Sequence, residues 1–375
     1  MRFYLSDQST PVNENHDLWK KPLPVARQGN PLPKDGAPVR GLTYGQYFSA
    51  VESFVRAGPE VFGSGNGPFP DNVSVFLEKH GAFYHPSRVR VGRERHVDEY
   101  VLNVAFSELG RQYLVDEYTT LKRLKDKYGY SFLPTVYACR EIRVDTSRTV
   151  SLFMGEWFSA FHEFHVSAMD TDNARRIRVW DANDNRFFMS TGQKRSVYEQ
   201  AAMILTACYD IQTFEQISAW HHAAGDFVVK LDEQGRPHVK LVTVRRYAPL
   251  LETAENTAEA VLNGLLLFLM NLSLHMRLDR RDGVNEICWM DDCIVGATLK
   301  GFFQGLTLQL KKQRIADGFI AYYKSFLSEM ELETVQALFM AIASRLPAGS
   351  ADTPVIQSQL KRHIDTFYQT LRSST

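Results

Sequence analysis

The stretch 217–249 constrains the fold of this chain most, because a helix-like end, a sharp turn and a hairpin follow one another within it. Small residues occupy positions 223–225, and Asp226 follows them directly. Two apolar, β-prone runs come next, separated by a turn-like segment that contains Gly235. We therefore predict a β-hairpin over 227–244 with an aspartate at its start.

Asp226 is the first candidate catalytic residue. A carboxylate held between a glycine and a hairpin has a fixed position, and a general base needs the correct geometry before it needs a shifted pKa. Aspartate also favours turns, so the alternative interpretation is that Asp226 caps a turn or pairs with a nearby arginine or histidine. His222, just upstream, is the second candidate.

The order of the predicted elements divides the chain into three segments and indicates an α+β protein. Residues 1–71 form an N-terminal extension, with an extended arm to about residue 41 and one helix at about 43–57. Residues 72–158 are β-rich with one main helix, and residues 159–375 are mainly helical around the central hairpin. Beyond the hairpin, we predict two strands within 72–91, strands at 99–106, 132–137 and 149–154, a hairpin at 175–188, and helices at 109–127, 196–211, 253–277, 294–313, 316–330, 332–345 and 355–371.

Composition and charge argue against several classes of protein. The 43 Lys and Arg residues balance 43 Asp and Glu residues, whereas a dedicated nucleic-acid binder carries a basic excess. The most apolar run, 260–274, is broken by polar residues and is too short to span a bilayer, so we predict a core helix and no membrane partner. Residues 1–17 lack the apolar core of a signal peptide, and the four cysteines fit a reduced, cytoplasmic protein.

This order of elements resembles the protein-kinase-like fold, closest to its aminoglycoside and choline phosphotransferase branch, over about residues 72–345. The resemblance implies two lobes, a β-rich N-lobe with one main helix and a helical C-lobe. Glu117 would be the helix glutamate that pairs with a phosphate-binding lysine, and 151–164 would be the hinge. Asp226, preceded by Ala224-Gly225 where the family has His-Gly, would accept the proton of the substrate hydroxyl.

Four positions depart from the pattern that this resemblance implies. Asn103 stands where the family has its lysine, and the glycine-rich loop is reduced to His80-Gly81. Leu231 and Thr243 stand where the metal-binding Asn and Asp are expected. Removing one charge-stabilising group costs ~100- to 1000-fold in rate. The sequence therefore predicts a degenerate nucleotide site and a regulatory or binding module, with ATP and magnesium as cofactors only if the protein is an active phosphotransferase.

An active but divergent phosphotransferase is the alternative. It would move a phosphoryl group from ATP to a hydroxyl of a small molecule or a protein, with Asp226 as base and Glu117 orienting the site. Arg245, Arg246 or His222 would supply positive charge in place of the missing groups. A magnesium ligand near Asp226 would favour this hypothesis over the first.

A metal-dependent hydrolase that uses His221, His222 and Asp226 is the third hypothesis. Adjacent histidines diverge by about 100° on a helix and point opposite ways on a strand, so they do not converge readily on one ion. We therefore assign no metal ligands. For the first hypothesis, the expected partner is a protein or a small molecule in the cleft between the lobes, and not a nucleic acid.

A dense run of charges at 277–282 follows the apolar helix. We interpret it as a solvated helix end with Gly283 as its C-cap. The alternative is a patch that binds an anion or docks a partner.

Overall fold

The computed structural model describes residues 1–6, 8–24, 41–58, 70, 72–81, 83–93, 96–169, 175–180, 187–218, 223–251, 257–283 and 286–374. The strands are β1 (Arg2–Leu5), β2 (Val73–Leu77), β3 (His85–Gly92), β4 (Val97–Ala105), β5 (Val136–Arg143), β6 (Thr149–Glu156), β7 (Glu163–Met169), β8 (Arg175–Trp180), β9 (Phe187–Phe188), β10 (Glu215–Ser218), β11 (Phe227–Leu231), β12 (Pro237–Leu241), β13 (Arg246–Pro249), β14 (Leu278–Arg280) and β15 (Ile287–Trp289). The helices are α1 (Tyr44–Arg56), α2 (Glu108–Tyr128), α3 (Thr191–Ala207), α4 (Ala223–Asp226), α5 (Ala258–His275), α6 (Cys293–Lys311), α7 (Phe319–Ser328), α8 (Leu332–Ser344) and α9 (Asp352–Ser374).

The chain divides into two compact units. The first comprises residues 1–129 and 134–159, and the second comprises residues 130–133 and 160–375. The protein is therefore of mixed α/β class, with a β-rich N-terminal sheet and a largely helical C-terminal part.

A six-stranded sheet in the order β1-β2-β3-β4-β6-β5 forms the first unit. Buried residues alternate with half-buried ones along β3, as expected for a sheet with one apolar face. Helix α1 packs on that face with residues such as Phe48 and Val51. Thr43 and Gln46 form a capping box that satisfies the first backbone donors of α1.

The N-terminal residues differ from the predicted arm. Arg2–Leu5 pairs in parallel with Val73–Leu77, and Val12 and Leu23 are buried in the same apolar core as α1. The described parts of 1–41 therefore pack on the first unit, a point that the sequence left open. A strand of four residues gives too short an apolar pattern to reveal its pairing with a distant partner.

Helix α2 confirms the predicted amphipathic helix. Ser107 caps its first turn, and Gly129 ends it with a φ of 64°. Leu114, Leu121 and Leu124 line its buried face. The strand predicted at 132–137 lies instead at Val136–Arg143, because residues 130–133 belong to the second unit.

Close contact between α3 and α6 organises the second unit. Gly301 of α6 faces the backbone of α3, where a Cβ atom would lie 2.0 Å from the carbonyl oxygen of Glu199. Gln309 donates two hydrogen bonds to the carbonyls of Thr206 (2.7 Å) and Tyr209 (2.9 Å), where α3 ends. An ion pair between Lys300 of α6 and Glu199 of α3 (3.0 Å) adds to these contacts.

The predicted central hairpin is confirmed as β11 and β12, in register from Phe227–Leu241 to Leu231–Pro237. Gln200 of α3 fixes the hairpin by donating to the Pro237 carbonyl (2.6 Å) and accepting from the Val239 amide (3.0 Å). The hairpin is thus tied to a long helix, so the segment that precedes it has a defined position.

Helix α5 contains the most apolar run of the sequence. By length and composition alone, Ala258–His275 could cross a membrane, a test that core helices of other proteins also pass. Half of its apolar window is buried inside the protein, which agrees with the predicted core helix.

Candidate functional site

Asp226 lies where the chain changes from a single helical turn to the hairpin. Gly225 has a φ of 95°, a conformation that residues with a side chain rarely adopt, and this allows the turn from Ala223–Asp226 directly into β11. The Asp226 carbonyl accepts a hydrogen bond from the Val242 amide (2.9 Å), which closes the base of the hairpin. The residue is 3% exposed.

Arg245 binds the carboxylate of Asp226. Its Nη1 atom donates to Oδ1 at 2.9 Å and to Oδ2 at 3.1 Å. The side chain of Arg245 is 43% exposed, whereas that of Asp226 is 4% exposed. A solvent-facing guanidinium therefore compensates a buried negative charge, and this matches the alternative interpretation of Asp226 as the partner of a nearby arginine.

Asp279 is a second buried carboxyl group close to Asp226. It lies in β14, is fully buried, and accepts hydrogen bonds from the Arg280 amide (2.7 Å) and the Tyr198 hydroxyl (3.4 Å). Burial raises the pKa of Asp279 to about 8, with a smaller contribution from the negative charge of Asp226. At neutral pH, Asp279 is therefore protonated, whereas the neighbouring Asp226 is paired with Arg245.

This burial overturns the prediction of a solvated helix end at 277–282. Helix α5 ends at His275, and the chain enters β14, which pairs with β15. Arg277 is 1% exposed and donates to the Met290 carbonyl (2.7 Å) and to Asp292 (2.6 Å). The side chains of Arg277 and Asp279 thus belong to the interior of the second unit.

The acidic residues at 291 and 292 also have cationic partners. Lys194, which is 4% exposed, bonds to Asp291 and donates to the Arg175 carbonyl at 2.8 Å. Asp292 accepts from Arg362 (2.6 Å) in addition to Arg277. Both acidic side chains are therefore paired with cations within the second unit.

Glu117 and Asn103 lie in the first unit. Glu117 is 4% exposed and accepts a hydrogen bond of 2.5 Å from the Tyr84 hydroxyl. Asn103 is 8% exposed and lies opposite Phe153 in the β4–β6 ladder. Phe153 contacts Tyr118 of α2, with ring centroids 6.0 Å apart, so Asn103 lies on the sheet face that α2 covers.

Within the second unit, the structure brings two of the predicted site residues together. Asp226 and Arg245 form one cluster, whereas Arg246 begins β13, is exposed, and lies opposite Ser218. His222 lies outside the described residues. Glu117 and Asn103 belong to the other compact unit.

Sequence reasoning missed Asp279 and Tyr198. Asp279 stands in a run of charges, which ordinarily indicates exposure. Tyr198 lies on a helix whose other buried residues are mostly apolar, a pattern typical of cores. No local pattern in the sequence marks these two residues as neighbours, because their contact depends on the pairing of β14 with β15.

The described residues do not fit ATP with magnesium. Leu231 offers no metal ligand, and Thr243 offers only a hydroxyl beside the hairpin base, where its amide donates to the Asp226 carbonyl at 3.4 Å. Asn103 supplies no positive charge for phosphates. Among the residues that the structure describes, no group of three or more His, Cys, Asp or Glu side chains is arranged to hold a metal ion.

Comparisons with known proteins leave the family open. No protein-family model matches the chain, and no curated protein is significantly similar to it. One solved structure that matches is the amicoumacin kinase hAmiN in complex with AMP-PNP, Ca²⁺ and Ami. It is 12% identical, over 80% of this chain and 89% of that chain, with a TM-score of 0.24. A likeness at this TM-score carries no argument about fold or activity.

Proposed function

We propose that this chain is a kinase-like protein with a degenerate nucleotide site that acts as a binding or regulatory module. The order of strands and helices and the position of Asp226 before a hairpin support the kinase-like assignment. Asn103, Leu231 and Thr243, at the positions of the expected phosphate and metal ligands, support the loss of ordinary catalysis.

The observation that carries the proposal is the contact of Arg245 with both carboxylate oxygens of Asp226. A general base needs an accessible lone pair within hydrogen-bond reach of the proton that it removes. A carboxylate that is 3% exposed and accepts hydrogen bonds from a guanidinium through both oxygens offers a substrate hydroxyl little access to a free lone pair.

The proposed partner is a small molecule or a protein segment that contacts the exposed side of Arg245. Arginine presents a planar fork of donors that suits carboxylate and phosphate groups. Since 43% of the Arg245 side chain is exposed, a ligand has access to it without unfolding the hairpin.

An active phosphotransferase is the second candidate, and one observation favours it. Asp226 and Asp279 lie close together in different states, because burial raises the pKa of Asp279 to about 8 while Asp226 is paired with Arg245. Two carboxyl groups whose environments differ in this way are a common feature of acid–base sites. In that case Asp226 would accept the proton of a substrate hydroxyl after a movement of Arg245.

Turnover of ATP distinguishes the two candidates. The protein and its Asp226→Asn variant are incubated with ATP, magnesium and a mixture of hydroxyl-bearing small molecules, and the release of ADP is measured. We expect the same background rate for both proteins. A rate that the protein has and the variant lacks would contradict the proposal and favour the phosphotransferase.

The Glu233→Gln variant is the matched control, because it makes the same change from carboxylate to amide at an exposed position on the turn of the hairpin. Its ADP release should equal that of the unaltered protein whichever candidate is correct.

A further inference from the structure

Helix α8 presents an uncharged surface to solvent. After Glu333 it contains no charged residue, although Ala337, Met340 and Ala341 are exposed. The Met340 side chain is among the most exposed large apolar groups, at 59%. A surface helix of a globular protein ordinarily carries charged residues on its outer face, whereas the exposed residues of α8 after Glu333 are alanine, methionine and uncharged polar side chains. Another surface is therefore expected to cover α8.

A groove runs along the seam between α8 and α9. Phe339 joins the two helices from the inside, with its ring 5.1 Å from those of His363 and Phe367. On the outer side, a groove of about 710 Å³ is lined by α8 residues around Met340 and by the α9 stripe that includes Leu360 and Ile364. Lining residues recur three and four positions apart on both helices, so the groove follows the helix axes and suits another helix.

Two side chains of opposite charge lie at the α9 edge of this groove. Lys361 and Asp365 both line the groove and are exposed. Within the part of the chain that the structure describes, neither side chain makes a hydrogen bond or an ion pair, whereas their neighbour Arg362 is bound to Asp292. The two charges lie one helical turn apart, in the same stripe as the apolar floor of the groove.

We propose that this face is the interface between two copies of the chain, in which the α8–α9 hairpins form a four-helix contact about a twofold axis. A twofold axis that passes between positions 361 and 365 places Lys361 of each copy opposite Asp365 of the other. Each charge is then paired once, which gives two ion pairs across the interface. Met340 of each copy enters the groove of the other, and the small side chains Ala337 and Ala341 allow the helices to approach closely.

The charges favour a second copy over other occupants. A membrane surface selects helices whose polar face is rich in Lys and Arg, whereas here Lys361 is matched by Asp365. An unrelated helix would have to carry one positive and one negative charge at the reciprocal spacing. A second copy supplies that pattern by symmetry.

Sedimentation velocity over concentrations on the order of 1 to 100 µM tests the proposal, since this range brackets the dissociation constants of modest interfaces. We expect the unaltered chain to pass from monomer to dimer, and Met340→Asp to weaken the dimer by about tenfold or more. Tyr322→Asp is the matched control, because Tyr322 is 63% exposed on α7 and away from the groove. Its dimerisation should equal that of the unaltered chain.

Charge exchange tests the twofold geometry. Lys361→Glu and Asp365→Lys each place like charges opposite each other, and each should weaken the dimer by about fivefold. The double variant restores opposite charges and should restore the affinity. An equimolar mixture of the two single variants should form a dimer tighter than either variant alone.

Circular dichroism and the urea midpoint, measured at concentrations on the order of 1 µM or below, where all the proteins are monomeric, should be unchanged in all variants. This shows that the altered residues affect association and not folding. A chain that stays monomeric over the whole range overturns the proposal, including one that binds lipid vesicles instead. A dimer that Met340→Asp leaves intact, or that the double variant does not restore, also overturns it.

Discussion

Arg245 donates from one nitrogen to both carboxylate oxygens of Asp226, at 2.9 and 3.1 Å. Asp226 is almost fully buried and Arg245 is half-exposed, so the pair connects the base of the hairpin to the surface of the second unit. This contact changes the interpretation of Asp226. At the position where the kinase-like hypothesis expects a catalytic base, the chain has a carboxylate whose negative charge is compensated by Arg245.

Removing Arg245 should destabilise the protein. Arg245→Ala leaves the buried carboxylate of Asp226 without this cation, and we expect a loss of about 1–2 kcal/mol in the free energy of unfolding, less than for a fully buried pair because solvent screens the exposed guanidinium. Urea unfolding measures the change. Arg246→Ala should stay within about 0.5 kcal/mol of the unaltered protein. Equal stability of all three proteins would show that the pair is unimportant for folding.

Asp279 should make stability fall as the pH rises. Its pKa is raised from 3.8 to about 8 in the folded state, mainly by burial, so the folded protein holds a proton that the unfolded chain releases. This contribution is complete below pH 3.8 and is lost as the pH rises through about 8. We expect the Asp279→Asn variant, which stays neutral, to gain stability relative to the unaltered protein between pH 5 and pH 9. A difference that is constant over this range would contradict the assignment.

His85 should remain neutral in mildly acidic solution. Its ring stacks on Phe106, and its Nδ1 lies 3.1 Å from Nδ1 of His80. Burial lowers the pKa of His85 to about 4, and repulsion from His80 adds to the effect. The shift of the His85 pKa therefore contributes fully to the free energy of unfolding above pH 6.5. This contribution is lost as the pH falls towards 4.

NMR titration of the imidazole signals checks this prediction. The His85 ring should not titrate between pH 8 and pH 5 in the folded protein. The same ring should titrate near its ordinary pKa of about 6.5 when the protein is unfolded in urea. Titration near that ordinary value in the folded state would contradict the buried, neutral ring.

Two glycines of α6 should respond to alanine in opposite ways. Gly301→Ala would place a Cβ atom 2.0 Å from the Glu199 carbonyl oxygen, so α3 and α6 must separate, and we expect a loss of about 3 kcal/mol. At Gly296 the nearest group is a methyl of Thr370 at 3.7 Å. Gly296→Ala should therefore gain up to about 1 kcal/mol from helix propensity. Thermal unfolding measures both, and equal effects would argue against the close helix crossing.

Helices and the hairpin could be predicted from the sequence because their signals are local. The apolar spacing of 332–345 predicted the helix observed at Leu332–Ser344, and Gly235 marked the turn of the hairpin. Arg2–Leu5 was not predicted as a strand, since its partner Val73–Leu77 is about seventy residues away and no local pattern encodes that pairing.

Two residues named from the sequence, Asp226 and Arg245, contact each other in the second unit. Asp226 was identified from the glycine and hairpin that flank it, but the choice between Arg245 and Arg246 depends on where β13 begins. Burial of Asp279 depends on the pairing of β14 with β15, which reverses the usual inference that a run of charges is exposed.

Calorimetric titration with ATP and magnesium tests the central claim most directly. The claim is that the Asp226 centre has lost specific binding of ATP with magnesium. The account predicts no specific heat of binding at ATP concentrations on the order of 1 mM, with the unaltered protein indistinguishable from Asp226→Asn and Glu117→Ala. Binding in the micromolar range that Asp226→Asn or Glu117→Ala weakens would contradict it.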